Sequence, residues 1–156
     1  MSETEGGLPA YMDRAMAAIR QVPVALQPLS EDPVATAGLL RGALTDPTRR
    51  RAALLLASLL DPIVTMLTLD IMVDLAASDR NAILVRQILG RLPHHEALAR
   101  VPPIVDVLLD EADDHDYRRY AELLAHLGLT DALQDLCSRA SHSPDPGTQE
   151  VAAEFS

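Results

Sequence analysis

The amino-acid sequence predicts an all-α fold, and three observations support that prediction. Leu and Ala, both strong helix formers, dominate an apolar content of 48%. Aromatic residues, which favour strands, make up only 3%. Asp followed by Pro is typical of a helix start, because the carboxylate caps the first turn and Pro needs no amide donor there. Four such steps each open an apolar stretch: Asp32-Pro33, Asp46-Pro47, Asp61-Pro62 and Asp145-Pro146.

The N-terminal part of the chain is predicted to contain one helix before any repeat begins. Apolar residues recur at helical spacing from Leu8 to Val22. Residues 1–7 before this helix are expected to form a loose, flexible tail. Residues 23–30 contain two prolines and are expected to form the longest connection. Residues 8–156 are expected to fold as a single domain.

After this connection the chain is predicted to fall into helix pairs. The first helices are expected at residues 33–44, 62–77, 103–112 and 130–140. The second helices are expected to start at capping acids that lie 33, 35 and 31 residues apart, namely Asp46, Asp79, Asp114 and Asp145. A period in this range indicates stacked helical repeats, because one pair cannot bury its apolar face alone.

The connections predict how each pair is arranged. Most turns inside a pair are very short, so the two helices are expected to be antiparallel and adjacent. The rhythm breaks between Pro93 and Pro102, because neither proline suits the interior of a continuous helix. A separate short helix, 95–100, is expected there before the next long helix begins at Pro103.

This pattern resembles the HEAT-repeat family, within the armadillo/HEAT class of α-solenoids. The second helices carry the resemblance, with Arg51, Arg86 and Arg119 five to seven residues after the starting acid. Val85-Arg86 matches the family's Val-Arg pair best, whereas Arg51 follows another Arg. The resemblance covers roughly residues 33–155. It implies a short right-handed solenoid of about four HEAT-like helix pairs after the N-terminal helix; a compact helical bundle is the alternative.

Composition narrows the classes of function. The formal net charge of −10 argues against general binding to nucleic acid. A single cysteine, Cys137, excludes an internal disulfide and a Cys-based zinc site, and its apolar neighbours predict a buried thiol. The most apolar segment, 63–77, contains two Asp residues and is shorter than the ~20 residues that span a membrane. We therefore expect a cytoplasmic protein with no membrane contact, from a bacterium whose GC-rich genome replaces Lys by Arg.

The second helices carry the candidate binding residues. The spans 46–60, 79–92 and 114–127 contain eight of the 13 arginines and five acids, a balance of +3 that leaves −13 on the rest. In solenoids of the HEAT class the second helices line the concave face. Guanidinium groups bind carboxylate and phosphate bidentately, so we expect an acidic peptide or partner protein there, with a phosphorylated segment or a phosphate backbone as alternatives. The residues expected to bind are Arg49, Arg50, Arg86, Arg118, Arg119 and Tyr117. Alternatively, some of the arginines bridge to the capping Asp of a neighbouring repeat and others are solvated, and Tyr117 packs with Tyr120.

These observations favour a non-enzymatic binding scaffold, or adaptor, without a cofactor. One alternative is a HEAT-like protein that binds nucleic acid. A second is a small metal-dependent hydrolase built on His94 and His95 or on the acidic run 110–116. For these residues a solvated helix start and a capped turn are the simpler interpretations. A third alternative is self-assembly, for example as a homodimer, in which Phe155 either closes the core or contacts a second subunit.

Overall fold

A computed structural model describes residues 7–78 and 80–156 of the chain. Within that part the secondary structure is helical throughout, with ten α-helices, one 3₁₀ turn at Leu109–Glu111 and no strand. The prediction of an all-α fold is therefore confirmed. The α-helices are α1 Leu8–Glu31, α2 Pro33–Thr45, α3 Arg50–Ala57, α4 Pro62–Leu67, α5 Leu69–Leu75, α6 Ala82–Leu89, α7 His94–Leu108, α8 Asp114–His126, α9 Thr130–Ser141 and α10 Pro146–Phe155.

The helices pack in two sets. In one set, α2 packs against α4 and α5, and α5 packs against α7. In the other, α3 packs against α6, α6 against α8, and α8 against α10. Contacts between α2 and α3, between α5 and α6, and among α8, α9 and α10 join the two sets. Helices α3, α6, α8 and α10 therefore contact one another in chain order.

Three of the predicted Asp-Pro starts are confirmed. The Asp32 carboxylate accepts from the amide of Ala35 at 3.0 Å, ahead of α2. Asp61 and Asp145 cap α4 and α10 in the same way, and Pro follows each Asp at the first helical position. The cap satisfies amide groups that the first helical turn leaves unpaired.

The remaining starts differ from the prediction. Asp46 accepts from the amide and hydroxyl of Thr48, which forms a turn, and α3 begins only at Arg50. The cap of α8 is Asp113 and not Asp114; Asp113 and Asp116 form a reciprocal capping box. The predicted start at Asp79 lies outside the described residues.

The connection expected at residues 23–30 is wrong, because α1 continues through Pro23 and Pro28 to Glu31. Each proline removes the hydrogen bond to the carbonyl four residues earlier, at Ile19 and Val24. Those two residues are 67% and 68% exposed, so water can reach the freed carbonyls. The cost of an interior proline is smaller at such an exposed position, and the helix persists.

The separate helix expected at residues 95–100 is also wrong, because α7 runs unbroken from His94 to Leu108 through Pro102 and Pro103. The carbonyls that lose their donors belong to Leu98 and Ala99, and both residues are exposed. Solvent again replaces the missing backbone bonds.

Conversely, the single helix expected over 62–77 divides at Thr68 into α4 and α5. The buried Thr68 hydroxyl donates to the carbonyls of Val64 and Thr65, at 3.0 and 3.3 Å. A threonine that bonds to its own preceding turn competes with the regular backbone ladder, and the helix axis breaks there.

One cluster of buried apolar side chains extends from α2 to α10. Leu44, Leu54 and Leu123 are completely buried within it. Cys137 is 7% exposed, as predicted, and Phe155 packs against the cluster from the last turn of α10. In the part of the chain that the structure describes, no helix has the length and apolarity needed to cross a bilayer.

Candidate functional site

The predicted arginines lie on three second helices that follow one another in the packing, α3, α6 and α8. Arg49 and Arg50 lie at the start of α3, Arg86 lies in α6, and Arg118 and Arg119 lie in α8. These arginines differ in the group to which each guanidinium donates. Some contact carboxylates, some contact backbone carbonyls, and Arg49 contacts neither among the described residues.

Arg86 and Arg119 meet at one carboxylate, Glu122 of α8. Arg86 donates to Glu122 Oε2 across the α6–α8 contact, and Arg119 Nη1 lies 2.9 Å from the same oxygen. The three side chains are 17%, 26% and 27% exposed, for Arg86, Arg119 and Glu122. The Nε of Arg86 is buried without a hydrogen-bond partner in the described residues. One carboxylate oxygen therefore accepts from two guanidinium groups, and all three side chains are held partly out of water.

Arg118 is neutralised by a different helix. Its Nη1 donates to Glu154 of α10, and the two side chains are 34% and 51% exposed. The pair therefore joins α8 to α10 and leaves no net charge at that position.

Three other arginines bond to carbonyl groups instead. Arg50 Nε donates to Leu44 O at 2.8 Å, at the end of α2. Arg91 donates to Ser58 O at 2.6 Å and to Leu60 O at 2.9 Å, after the end of α3. Arg51 Nη1 makes a longer contact of 3.4 Å with the Arg80 carbonyl.

A guanidinium beside the last carbonyls of a helix is favourable because that end of the helix dipole is negative. Such a carbonyl satisfies the donors of the arginine without cancelling its formal charge. The start of α3 therefore keeps the positive charge of Arg50 and Arg51 even though both side chains have hydrogen-bond partners.

Arg49 is exposed, and its guanidinium makes no hydrogen bond or ion pair with any residue that the structure describes. Its charge does act on Asp46. The pKa of that carboxyl lies below its ordinary value, chiefly because the Thr48 hydroxyl and amide donate to it, with a smaller contribution from Arg49.

Arg49 also lines an apolar groove, which we call the α2–α3 groove. Its volume is about 420 Å³, and its lining includes Leu39, Leu40, Ala52 and Leu56. Leu39 is 73% exposed. The groove places an apolar surface directly beside the exposed guanidinium of Arg49.

Tyr117 lies elsewhere. It is 7% exposed, and it borders a different cavity, of about 430 Å³, with Asp110, Asp113 and Arg139. Arg139 Nη2 donates to Asp110 at 2.7 Å. The Asp110 carboxylate and, to a smaller extent, the Tyr117 hydroxyl raise the pKa of Arg139. The structure therefore separates Tyr117 from the arginines at the start of α3, and both Tyr117 and Tyr120 are buried in the apolar cluster.

The acidic run and the histidines adopt the simpler arrangements described above. Asp113 and Asp116 cap α8, while His94 and His95 are exposed at the start of α7. His95 Nε2 lies 3.7 Å from Glu96 Oε1. Within the described ranges, 7–78 and 80–156, no group of three or more His, Cys, Asp or Glu side chains is arranged to hold a metal ion.

Two features of the site were not anticipated from the sequence. One is the α2–α3 groove. The only feature of the sequence that indicates it is that α2 has more apolar residues than its buried face needs. The other is a set of two ion pairs between helical elements: Arg41 of α2 with Asp70 of α5, and Arg139 of α9 with Asp110 of the 3₁₀ turn. In both pairs the two residues are 29 positions apart, which is close to the predicted repeat period.

Charge is distributed unequally along the chain. Residues 106–156 contain 12 acids and three arginines, a balance of −9, whereas residues 1–105 contain 11 acids and ten arginines, a balance of −1. The start of α3 lies in the nearly neutral part. Its arginines are therefore remote in sequence from most of the acidic residues.

Comparison with known proteins adds no relative. No family model matches the chain, and neither a curated protein nor a solved structure matches it. The function is therefore argued from the geometry of the arginines and the groove.

Proposed function

We propose that this chain is a non-enzymatic binding scaffold, built as a short right-handed HEAT-like solenoid, that holds an acidic segment of a partner protein. The observation that carries the proposal is the start of α3. There, Arg49, Arg50 and Arg51 keep their charge without a carboxylate partner among the described residues, and Arg49 lines an apolar groove. Positive charge beside an apolar groove suits an acidic, amphipathic ligand.

The packing of the helices supports the solenoid part of the proposal. The second helices α3, α6, α8 and α10 contact one another in chain order, as stacked repeats do. Arginines join residues 29 to 36 positions apart along the chain, from Arg41–Asp70 to Arg118–Glu154. This span is about one repeat, so these contacts tie each unit to the next.

The groove supports the choice of ligand. An amphipathic helix binds by laying its apolar face into a hydrophobic groove, and a volume of about 420 Å³ accommodates a few apolar side chains. The exposed guanidinium of Arg49 can form a bidentate contact with a ligand carboxylate. Acids on the polar face of the ligand therefore meet the arginines while its apolar side chains meet Leu39 and Leu56.

The other predicted residues contribute differently in this proposal. Arg86 and Arg119, which share the Glu122 carboxylate, extend the arginine surface along α6 and α8. Arg118 and Tyr117 support that surface, because one is ion-paired to α10 and the other is buried.

Fluorescence anisotropy with a labelled, helical, Glu-rich amphipathic peptide tests the proposal. The Arg49→Glu/Arg51→Glu variant should bind at least about tenfold more weakly, equivalent to ~1.4 kcal/mol, and should keep its melting temperature because neither side chain makes a strong internal contact. The matched control, Arg14→Glu/Arg20→Glu, makes the same charge change on exposed residues of α1 and should bind normally.

The outcomes separate the candidate functions. Equal weakening in both variants would mean that only bulk charge attracts the peptide. Failure of the wild-type chain to bind the peptide, together with salt-dependent binding of duplex DNA, would replace this proposal by nucleic-acid binding.

A further inference from the structure

Helix α1 carries a continuous apolar seam with a coiled-coil period. Its apolar residues alternate in steps of four and three over 22 residues, which is the heptad spacing of the two core positions of a coiled coil. The seam consists of Leu8, Met12, Ala15, Ile19, Val22, Leu26 and Leu29.

Only the C-terminal end of this seam is covered. Leu26 and Leu29 pack against the apolar cluster of the chain, whereas α1, which is described along its full length, contains no buried residue. Leu8, Met12 and Ile19 are 81%, 59% and 67% exposed. A helix of this length is only marginally stable in water unless its apolar face packs against another surface. The apolar seam of residues 8–22 therefore needs a packing partner that the described residues do not supply.

The positions beside the seam suit an identical partner. In coiled coils these flanking positions usually hold charges that select or reject a partner. Here they hold Tyr11, Met16 and Ala18, so two copies meet without like charges between them. The charged residues Asp13 and Arg14 lie on the outer face, and the Arg14 guanidinium stacks 5.2 Å from the centre of the Tyr11 ring.

The exposed area is sufficient for a dimer of modest affinity. Tyr11 and Met16 are 61% and 41% exposed and widen the strip formed by Leu8, Met12 and Ile19. Together these five side chains offer roughly 600 Å² on each copy, or about 1,200 Å² for two, which is the lower end of the range for specific interfaces. It also equals or exceeds the largest apolar patch of a typical monomer.

We propose that two copies of this chain associate through the 8–22 segment of α1, with the two helices antiparallel. The direction follows from charge. Segment 8–22 contains Asp13, Arg14 and Arg20, a balance of +1, and the remainder of each chain carries −11. Parallel helices would place the two acidic remainders side by side, whereas antiparallel helices place them at opposite ends of the pair. Ala15, near the middle of the segment, allows the helices to approach closely.

Sedimentation velocity from low to high micromolar concentration tests the association. The wild-type chain should change from monomer to dimer, and Met12→Glu/Ile19→Glu should stay monomeric. The matched control, Ala17→Glu/Gln21→Glu, adds the same charge at two exposed positions on the outer face of the same helix and should dimerise. At a concentration where the wild-type chain is monomeric, circular dichroism should show the same unfolding transition for all three proteins, since none of these side chains is buried.

Two results would overturn the proposal. The first is a wild-type monomer at every concentration; if that monomer also co-sedimented with phosphatidylglycerol vesicles through the same residues, the seam would be a membrane-surface helix. The second is equal loss of the dimer in the seam variant and in the outer-face control.

The direction has its own test. In Leu8→Cys the two new thiols lie more than ~20 Å apart in an antiparallel pair, and a disulfide requires Cα atoms within about 7 Å. Oxidation should therefore leave the dimer without a cross-link, while Cys137 stays buried. Rapid cross-linking would contradict the antiparallel arrangement.

Discussion

Replacing Glu122 by Gln tests whether the Arg86–Arg119–Glu122 cluster stabilises the fold. Gln keeps the size of the side chain and removes the carboxylate that accepts from both guanidinium groups. Arg86 would then lose the carboxylate that balances its charge while its guanidinium remains largely shielded from water. Its Nε already has no hydrogen-bond partner among the described residues. The same change adds one positive charge to α8, so it should not weaken the binding of an acidic peptide.

The exposure of the three side chains sets the magnitude. Breaking a fully buried ion pair by removing one partner costs about 3–5 kcal/mol, and an exposed pair is worth about 0–1 kcal/mol. Side chains that are 17% to 27% exposed lie between these limits, and we expect a loss of about 2 kcal/mol. For a chain of this length that corresponds to a fall of about 4–8 °C in melting temperature.

Thermal and urea unfolding followed by circular dichroism measure this loss. Glu154→Gln is the matched control, because Glu154 is 51% exposed and pairs with Arg118 alone among the described contacts. It should lose less than about 1 kcal/mol. A melting temperature for Glu122→Gln equal to or above that of Glu154→Gln would refute the structural role of the cluster.

Three further predictions concern the core, an ion pair and the thiol. Leu54→Ala removes a completely buried side chain and should cost about 2–5 kcal/mol in urea unfolding, whereas Leu55→Ala, at a 48% exposed neighbour, should cost much less. Arg41 donates to both Asp70 oxygens at 2.8 Å and lowers the pKa of that carboxyl. The stability that this ion pair contributes is therefore present above the ordinary carboxyl pKa and is lost as the pH falls below about 4. Asp70→Asn should accordingly make acid unfolding less steep. Burial raises the pKa of the Cys137 thiol, so the native protein should react with a thiol reagent far more slowly than the urea-unfolded chain, and equal rates would contradict the burial.

Local capping chemistry made three of the helix starts predictable from the sequence, and composition made the all-α class predictable. The Asp-Pro starts at Asp32, Asp61 and Asp145 depend on hydrogen bonds within two or three residues, and the structure contains all three. The prolines at 23, 28, 102 and 103 were misleading because their cost depends on whether water reaches the freed carbonyls. That is a property of the folded surface, and the spacing of residues does not contain it.

The candidate site was predictable in position but not in pairing. The sequence placed Arg86 and Arg119 on second helices, and the structure has both there. Whether an arginine meets a carboxylate or a carbonyl depends on which acceptor group a neighbouring helix brings within its reach. Arg118 reaches Glu154 and Arg50 reaches Leu44 O, and these opposite outcomes leave one charge cancelled and the other intact.

The unequal distribution of charge would also affect how an acidic partner of the proposed kind approaches the chain. An acidic partner is repelled by residues 106–156, which carry −9, and meets far less repulsion from residues 1–105, which carry −1. Long-range fields of this kind turn a molecule before contact and change the association rate more than the final affinity. Added salt shortens their range to about 8 Å at physiological ionic strength. A partner of the α3 arginines would therefore approach with its orientation partly selected before contact. Moderate salt would reduce this orientation, and with it the association rate, before it weakened the bound complex.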